Sequence, residues 1–109
     1  MYGTVARFRL RPGAEDRLLA LTREELATDP GPGFVALYLS RLDADPRGYA
    51  MTVVFDTEEH YRAHAGSPAS EARYRQIADL LEGEPVWLDG EILLAETRGG
   101  VDGSPQAAG

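Results

Sequence analysis

The side chains in this sequence best suited to small-molecule chemistry are two histidines, one tryptophan and a scatter of tyrosines. His60 and His64 stand four residues apart, so a helix would carry both on one face. Imidazole is the natural general base near neutral pH. The same spacing occurs in His-Glu-x-x-His metal sites. Here Tyr61-Arg62-Ala63 separate the pair, with no glutamate between them and no third ligand in view, so no metal is expected. Beyond Tyr2, the aromatic set is Tyr38, Tyr49, Tyr61, Tyr74 and Trp87 with Phe8, Phe34 and Phe55. Such rings usually fill cores. Tyr38 and Tyr74 are candidates for more, because a buried phenol needs a hydrogen-bond partner and a ligand oxygen can supply it. Trp87 suits either ligand stacking or interface packing, and Phe8 is added to the candidate lining.

What is missing narrows the chemistry further. The chain contains no cysteine, lysine or asparagine. Disulfides, thiolate nucleophiles, Schiff-base lysines and P-loop lysines are therefore excluded. At 109 residues the chain holds one core and one domain. Eleven basic against eighteen acidic residues give a net charge of −7, which repels phosphate backbones and argues against nucleic acid as a partner. No apolar run is long enough to span a membrane. With no secretory signal visible at Met1–Arg7, the expected address is the cytoplasm.

These residues must be positioned by secondary structure, and the pattern is legible. Tyr2 to Arg11 alternates, with Thr4, Ala6, Phe8 and Leu10 on one face, and Pro12-Gly13 stops it. Ala14 to Ala27 has a helical apolar stripe through Leu18, Leu21 and Leu26. After the turn Asp29–Gly33, residues Phe34 to Leu42 read as a strand. Phe34, Ala36, Tyr38 and Ser40 are expected on its helix-facing side, against Val35, Leu37 and Leu39. Tyr49 to Phe55 is a third strand, joined to the second as a hairpin. Asp56-Thr57 and Ser67-Pro68 each open a helix, the second of which is expected to close at Gly83. Pro85 to Ala95 supplies a last strand, expected to bulge near Asp89-Gly90.

The order β-α-β-β-α(α)-β is the ferredoxin-like α+β pattern, a four-stranded antiparallel sheet with helices on one face only. Residues 1–96 form this domain, and 97–109 are expected to be a disordered tail. The uncovered sheet face predicts a homodimer built by packing two sheets together. Arg7, Arg9 and Arg11 would then pair with Asp89 and Glu91 of the other copy, or else hold a substrate oxyanion.

The stretch Phe55-Asp56-Thr57-Glu58-Glu59-His60-Tyr61-Arg62-Ala63-His64-Ala65-Gly66-Ser67-Pro68 resembles the strand-to-helix junction of the antibiotic biosynthesis monooxygenase family, the dimeric α+β barrels. Arg9-Leu10-Arg11-Pro12-Gly13 fits the family's first strand end, and the likeness covers residues 1 to about 96. The resemblance implies a homodimer with a ligand cavity between sheet and helices. It also implies oxygenation of an aromatic polyketide, quinol or similar phenolic compound with no cofactor. His64 takes the family's histidine position and becomes the candidate base; Tyr38, Tyr74, Trp87 and Phe8 are the candidate substrate contacts. A packed structural role for His64 stays open, as does a non-enzymatic ligand-binding or assembly homodimer. A haem-degrading branch uses a strand Asn, a helical Trp and a histidine ten residues beyond it. This chain has no Asn, and His64 and Tyr74 stand near the other two positions, so haem binding is a weaker third reading.

Overall fold

Leu10, Leu18 and Phe55, each almost wholly buried, are the anchors on which the chain closes. A computed structural model describes residues 1–98. Its elements are β1 (Tyr2–Arg9), α1 (Glu15–Thr28), β2 (Phe34–Arg41), β3 (Gly48–Phe55), α2 (Glu58–Ala65), α3 (Pro68–Ala78) and β4 (Val86–Glu91). The strands form one antiparallel sheet in the order β2-β3-β1-β4. This is the ferredoxin-like α+β fold. No helix among the described residues is long and apolar enough to cross a membrane. Most of the expected tail lies outside the described residues.

Alternation and register assign the two sheet faces. On β1, Thr4, Ala6 and Phe8 face the helices, aligned with Val53, Met51 and Tyr49 of β3. Across β4 the same row continues through Asp89 and Trp87. The opposite face carries Val5, Thr52, Val54, Val86 and Leu88. Under the helices, Leu10, Ala14, Leu18, Tyr49 and Leu81 make a buried cluster, with Phe8, Leu39, Ile77 and Leu80 packed against it. The cluster fills one end of the space between sheet and helices.

Local chemistry sets the helix ends. Thr57 accepts a hydrogen bond from the His60 amide at the start of α2, and Ser67 does the same for Ser70 at α3, where Pro68 takes the first turn. α3 stops at Ala78 rather than running to Gly83. Leu80 and Leu81 donate to the carbonyls of Ile77 and Ala78, tightening the chain into a turn that delivers Leu81 to a bridge with Leu10.

Two strand expectations are corrected. The pairing of β1 with β4 runs unbroken from Tyr2–Glu91 to Arg7–Val86, so Asp89-Gly90 carries no bulge. The irregularity lies on β2, where Phe34 aligns with Phe55 but Ala36 with Val54. Val35 is the extra residue, and every side chain after it changes face. Leu37 and Leu39 therefore turn toward the helices, while Ala36, Tyr38 and Ser40 turn to the open face.

Glu15 clasps the layers together. Its two carboxylate oxygens accept from Arg41 Nε at 2.7 Å and Nη2 at 2.6 Å, and Oε1 also accepts from the Tyr49 hydroxyl at 2.6 Å. The Arg41 hydrogen bond, then that of Tyr49, pull the carboxyl down from 4.5 to about 2. A depressed carboxylate contributes stability that is fully present above its unfolded value and is lost as pH falls toward the folded one. Acid unfolding followed by circular dichroism should accordingly show wild type losing stability from about pH 4.5 downward. Glu15→Gln should be less stable near neutrality and show a shallower loss across that window. An unchanged acid profile would contradict the clasp.

Candidate functional site

At the end of the sheet away from the buried cluster, the helices and sheet leave a cavity of about 480 Å3. Its walls are mostly apolar, with Phe34 and Leu37 from β2 and Met51, Val53 and Phe55 from β3. Thr4 and Tyr61 lie at its floor, both buried, and Tyr74 and Trp87 lie at its rim, both about half exposed. The two rim rings are 6.2 Å apart, centre to centre. A pocket of this size and character suits a small aromatic molecule.

His64 stands on the wall, carried by α2, with its side chain 19% exposed. Three contacts fix it. The ring lies 5.2 Å from that of Phe55. Nε2 is 3.6 Å from Glu25 Oε1 on α1. The backbone of Gly31 passes so close that a β-carbon there would come within 2.7 Å of Nδ1. Gly31 also holds φ at +97°, a conformation glycine adopts without strain. The Asp29–Gly33 turn thus does more than reverse the chain; it forms one side of the histidine's seat.

Glu25 is shared. Its second oxygen lies 3.9 Å from Arg73 Nε on α3, and Arg73 Nη1 lies 3.8 Å from Glu24. Both Glu25 and Arg73 line the cavity. At the floor, the Tyr61 hydroxyl donates to Asp89 Oδ1 at 3.0 Å. Burial, reinforced by that carboxylate, raises the Tyr61 phenol above its ordinary value. Thr4 is 4% exposed, and among the described residues its hydroxyl has no hydrogen-bond partner.

The structure brings three of the candidate residues together: His64, Tyr74 and Trp87 all line the cavity. Tyr38 does not join them. The extra residue at Val35 places it on the open sheet face, where it is 47% exposed. Phe8 sits beyond the closed end of the cavity, stacked on Tyr49 at 5.9 Å as part of the packed core. His60 lies outside the cavity, half exposed, with Nδ1 2.6 Å from Asp56 Oδ1, and that bond holds the Asp56 carboxyl below its usual range.

Of the pairing expected for the β1 arginines, the parts played by Arg9 and Asp89 are corrected. Arg9 donates to Asp45 at 2.8 Å and Glu82 at 2.9 Å within its own chain, while Asp89 faces the helices and takes Tyr61. Thr4, Tyr61, Glu25 and Arg73 are the site residues that the sequence pattern did not single out. Among the described residues, no group of three or more His, Cys, Asp or Glu side chains is placed to hold a metal ion.

Comparison with solved structures finds the same architecture repeatedly. A Deinococcus radiodurans protein, provisionally described as an antibiotic biosynthesis monooxygenase, aligns over 92% of this chain and 100% of its own at 16% identity, with a TM-score of 0.73. Rv0793 from Mycobacterium tuberculosis aligns over 88% of this chain and 98% of its own at 21% identity, with a TM-score of 0.72. NE2512 from Nitrosomonas europaea, a protein of unknown function, covers 91% and 95% at 22% identity, with a TM-score of 0.71. At these identities the likeness is one of fold. No curated protein matches the chain. The profile of one family, antibiotic biosynthesis monooxygenase, matches residues 1–76, a span that takes in β1 through most of α3 and with them His64, Tyr61, Glu25 and Arg73. On that match, the chain belongs to the antibiotic biosynthesis monooxygenase family.

Proposed function

We propose that this protein is a cytoplasmic, homodimeric, cofactor-independent monooxygenase acting on an aromatic polyketide, quinol or similar phenolic small molecule. The observation that carries the reading is a histidine held on the wall of an apolar cavity of about 480 Å3. Oxygenation of such a substrate asks the protein for a base, a dry pocket and a fixed orientation. His64 takes the phenolic proton, and Glu25, 3.6 Å from Nε2, stabilises the imidazolium that forms. The electron-rich anion then passes an electron to dioxygen while the apolar walls keep bulk water away. Tyr74 and Trp87 at the rim hold the ring by stacking.

Oxygen uptake with an anthrone and a naphthohydroquinone, measured on metal-stripped protein, tests the reaction. Wild type should consume oxygen above the autoxidation blank, and His64→Ala should lower the rate by about 10²–10⁴-fold, the usual contribution of a general base. Gly31→Ala, which drives a methyl group against Nδ1, should lower it as well although the base itself is retained. Equal rates above the blank in wild type and His64→Ala would refute the assignment of the base, and no uptake above the blank would favour a ligand-binding dimer without turnover.

The dimer part of the proposal rests on the open sheet face. Tyr38, Val86 and Leu88 are each 47–54% exposed there, beside Val5 and Val54, and helices cover only the other side. A second sheet against this face would remove that apolar area from water. Sedimentation equilibrium should give a dimer mass for wild type and a monomer for Leu88→Arg with its circular dichroism unchanged. A monomeric wild type would overturn the arrangement.

A further inference from the structure

We infer that Arg73 is the group that holds the anionic oxygen of the bound ligand, so that the cavity selects a phenolate over the neutral phenol. The inference rests on the reading of this cavity as the ligand site and adds a second residue to the chemistry assigned to His64.

Arg73 differs from the other arginines of the described residues. Arg9, Arg41, Arg47, Arg62 and Arg75 each donate to a carboxylate at 3.0 Å or less. Arg7, Arg11, Arg17, Arg23 and Arg98 are exposed and need only water. Arg73 is neither. Its side chain is 20% exposed, it lines the cavity, and among the described residues it makes no hydrogen bond. The carboxylates of Glu24 and Glu25, at 3.8 and 3.9 Å, offset its charge but stand too far away to accept its protons. A guanidinium presents five donors in a rigid fork, and leaving them unfilled in a largely apolar pocket is costly. An oxygen anion entering the cavity fills them.

Charge bookkeeping around Glu25 selects a phenolate. Glu71, the other acid on the wall, is hydrogen-bonded to Arg75 at 2.7 Å. With His64 neutral, Glu25 offsets Arg73. When the ligand's O–H bond breaks and its proton forms an N–H bond on the imidazole, the new imidazolium takes Glu25 as its counter-ion. Arg73 is then left with only the solvent-exposed Glu24 at 3.8 Å, and its donors can turn to the oxygen that lost the proton. Both cationic groups border the same carboxylate and line the same cavity. A phenolate oxygen is more basic than a carboxylate oxygen, so it accepts the stronger hydrogen bond from the guanidinium.

The test uses binding alone, so that it stands apart from turnover. Calorimetric titration of the whole protein with 4-nitrophenol, on either side of that compound's own ionisation near neutral pH, compares phenol with phenolate. Nitrobenzene serves as the uncharged control and 4-nitrobenzoate as the carboxylate. Wild type should bind nitrophenolate about tenfold or more tightly than nitrophenol, the scale of one charge-assisted hydrogen bond. Arg73→Gln should abolish that preference and leave nitrobenzene affinity within about twofold of wild type, the scatter of a neutral contact. Arg73→Lys should retain part of it.

Equal affinity for phenol and phenolate in wild type would overturn the inference. So would an Arg73→Gln variant that loses nitrobenzene to the same degree, because that marks a structural role. Nitrobenzoate binding more tightly than nitrophenolate would overturn the choice of a phenolate. A protein that shows the phenolate preference but consumes no oxygen would refute the oxygenase reading and leave Arg73's role standing.

Discussion

The whole arrangement depends on a sheet that, among the described residues, is covered on one side only. Three helices lie over one face of four strands, and they do not fill the space beneath them evenly. Near the end of β1, Leu10, Leu18, Tyr49 and Leu81 close the gap with a packed cluster. At the start of β1 the facing residues are Thr4, Val53 and Phe55, and the space above them stays open as the cavity. A solid end and a hollow end follow from where the large side chains fall along one strand row. The solid end supplies the stability that lets the hollow end persist, since unfilled volume is destabilising in itself.

The polar groups of the cavity are distributed with the same economy. α1 contributes Glu25, α2 contributes His64 and Tyr61, α3 contributes Arg73, and each lines the cavity. Placing ionisable groups on separate rigid elements fixes their mutual distances better than a loop would. The one loop involved, Asp29–Gly33, acts by close backbone approach. Gly31 lies against His64 and Gly33 against His60 and Asp56, so the turn seats both histidines of α2 while presenting no side chain of its own at those points.

Much of this was legible in the sequence, and the reasons are specific. Turn residues and caps state their purpose locally, which is why Pro12-Gly13, Thr57 and Ser67-Pro68 marked element boundaries so well. The face assignment of β1 and the apolar stripe of α1 rest on periodicity that tertiary structure did not disturb. β2 was different. Its alternation is regular in the sequence, and the extra residue at Val35 exists only because β3 pairs with it out of step. That one residue exchanged Tyr38 for Leu37 in the cavity wall. The residues missed altogether share another property: Glu25 and Arg73 look like solvent-facing charges in a linear reading, and only the approach of α3 to α1 removes them from the surface. Thr4 is an unremarkable strand residue until its hydroxyl is found buried with no partner among the described residues.

A phenolic ligand seated in the cavity beside His64 would be seen by nuclear magnetic resonance of the anaerobic protein titrated with a naphthohydroquinone. The chain has one tryptophan and two histidines, so each side-chain signal is its own reporter. The Trp87 indole and His64 imidazole signals should shift together and saturate at the same ligand concentration, while His60, outside the cavity, stays in place. A shift confined to His60, or none at Trp87 and His64, would contradict that placement.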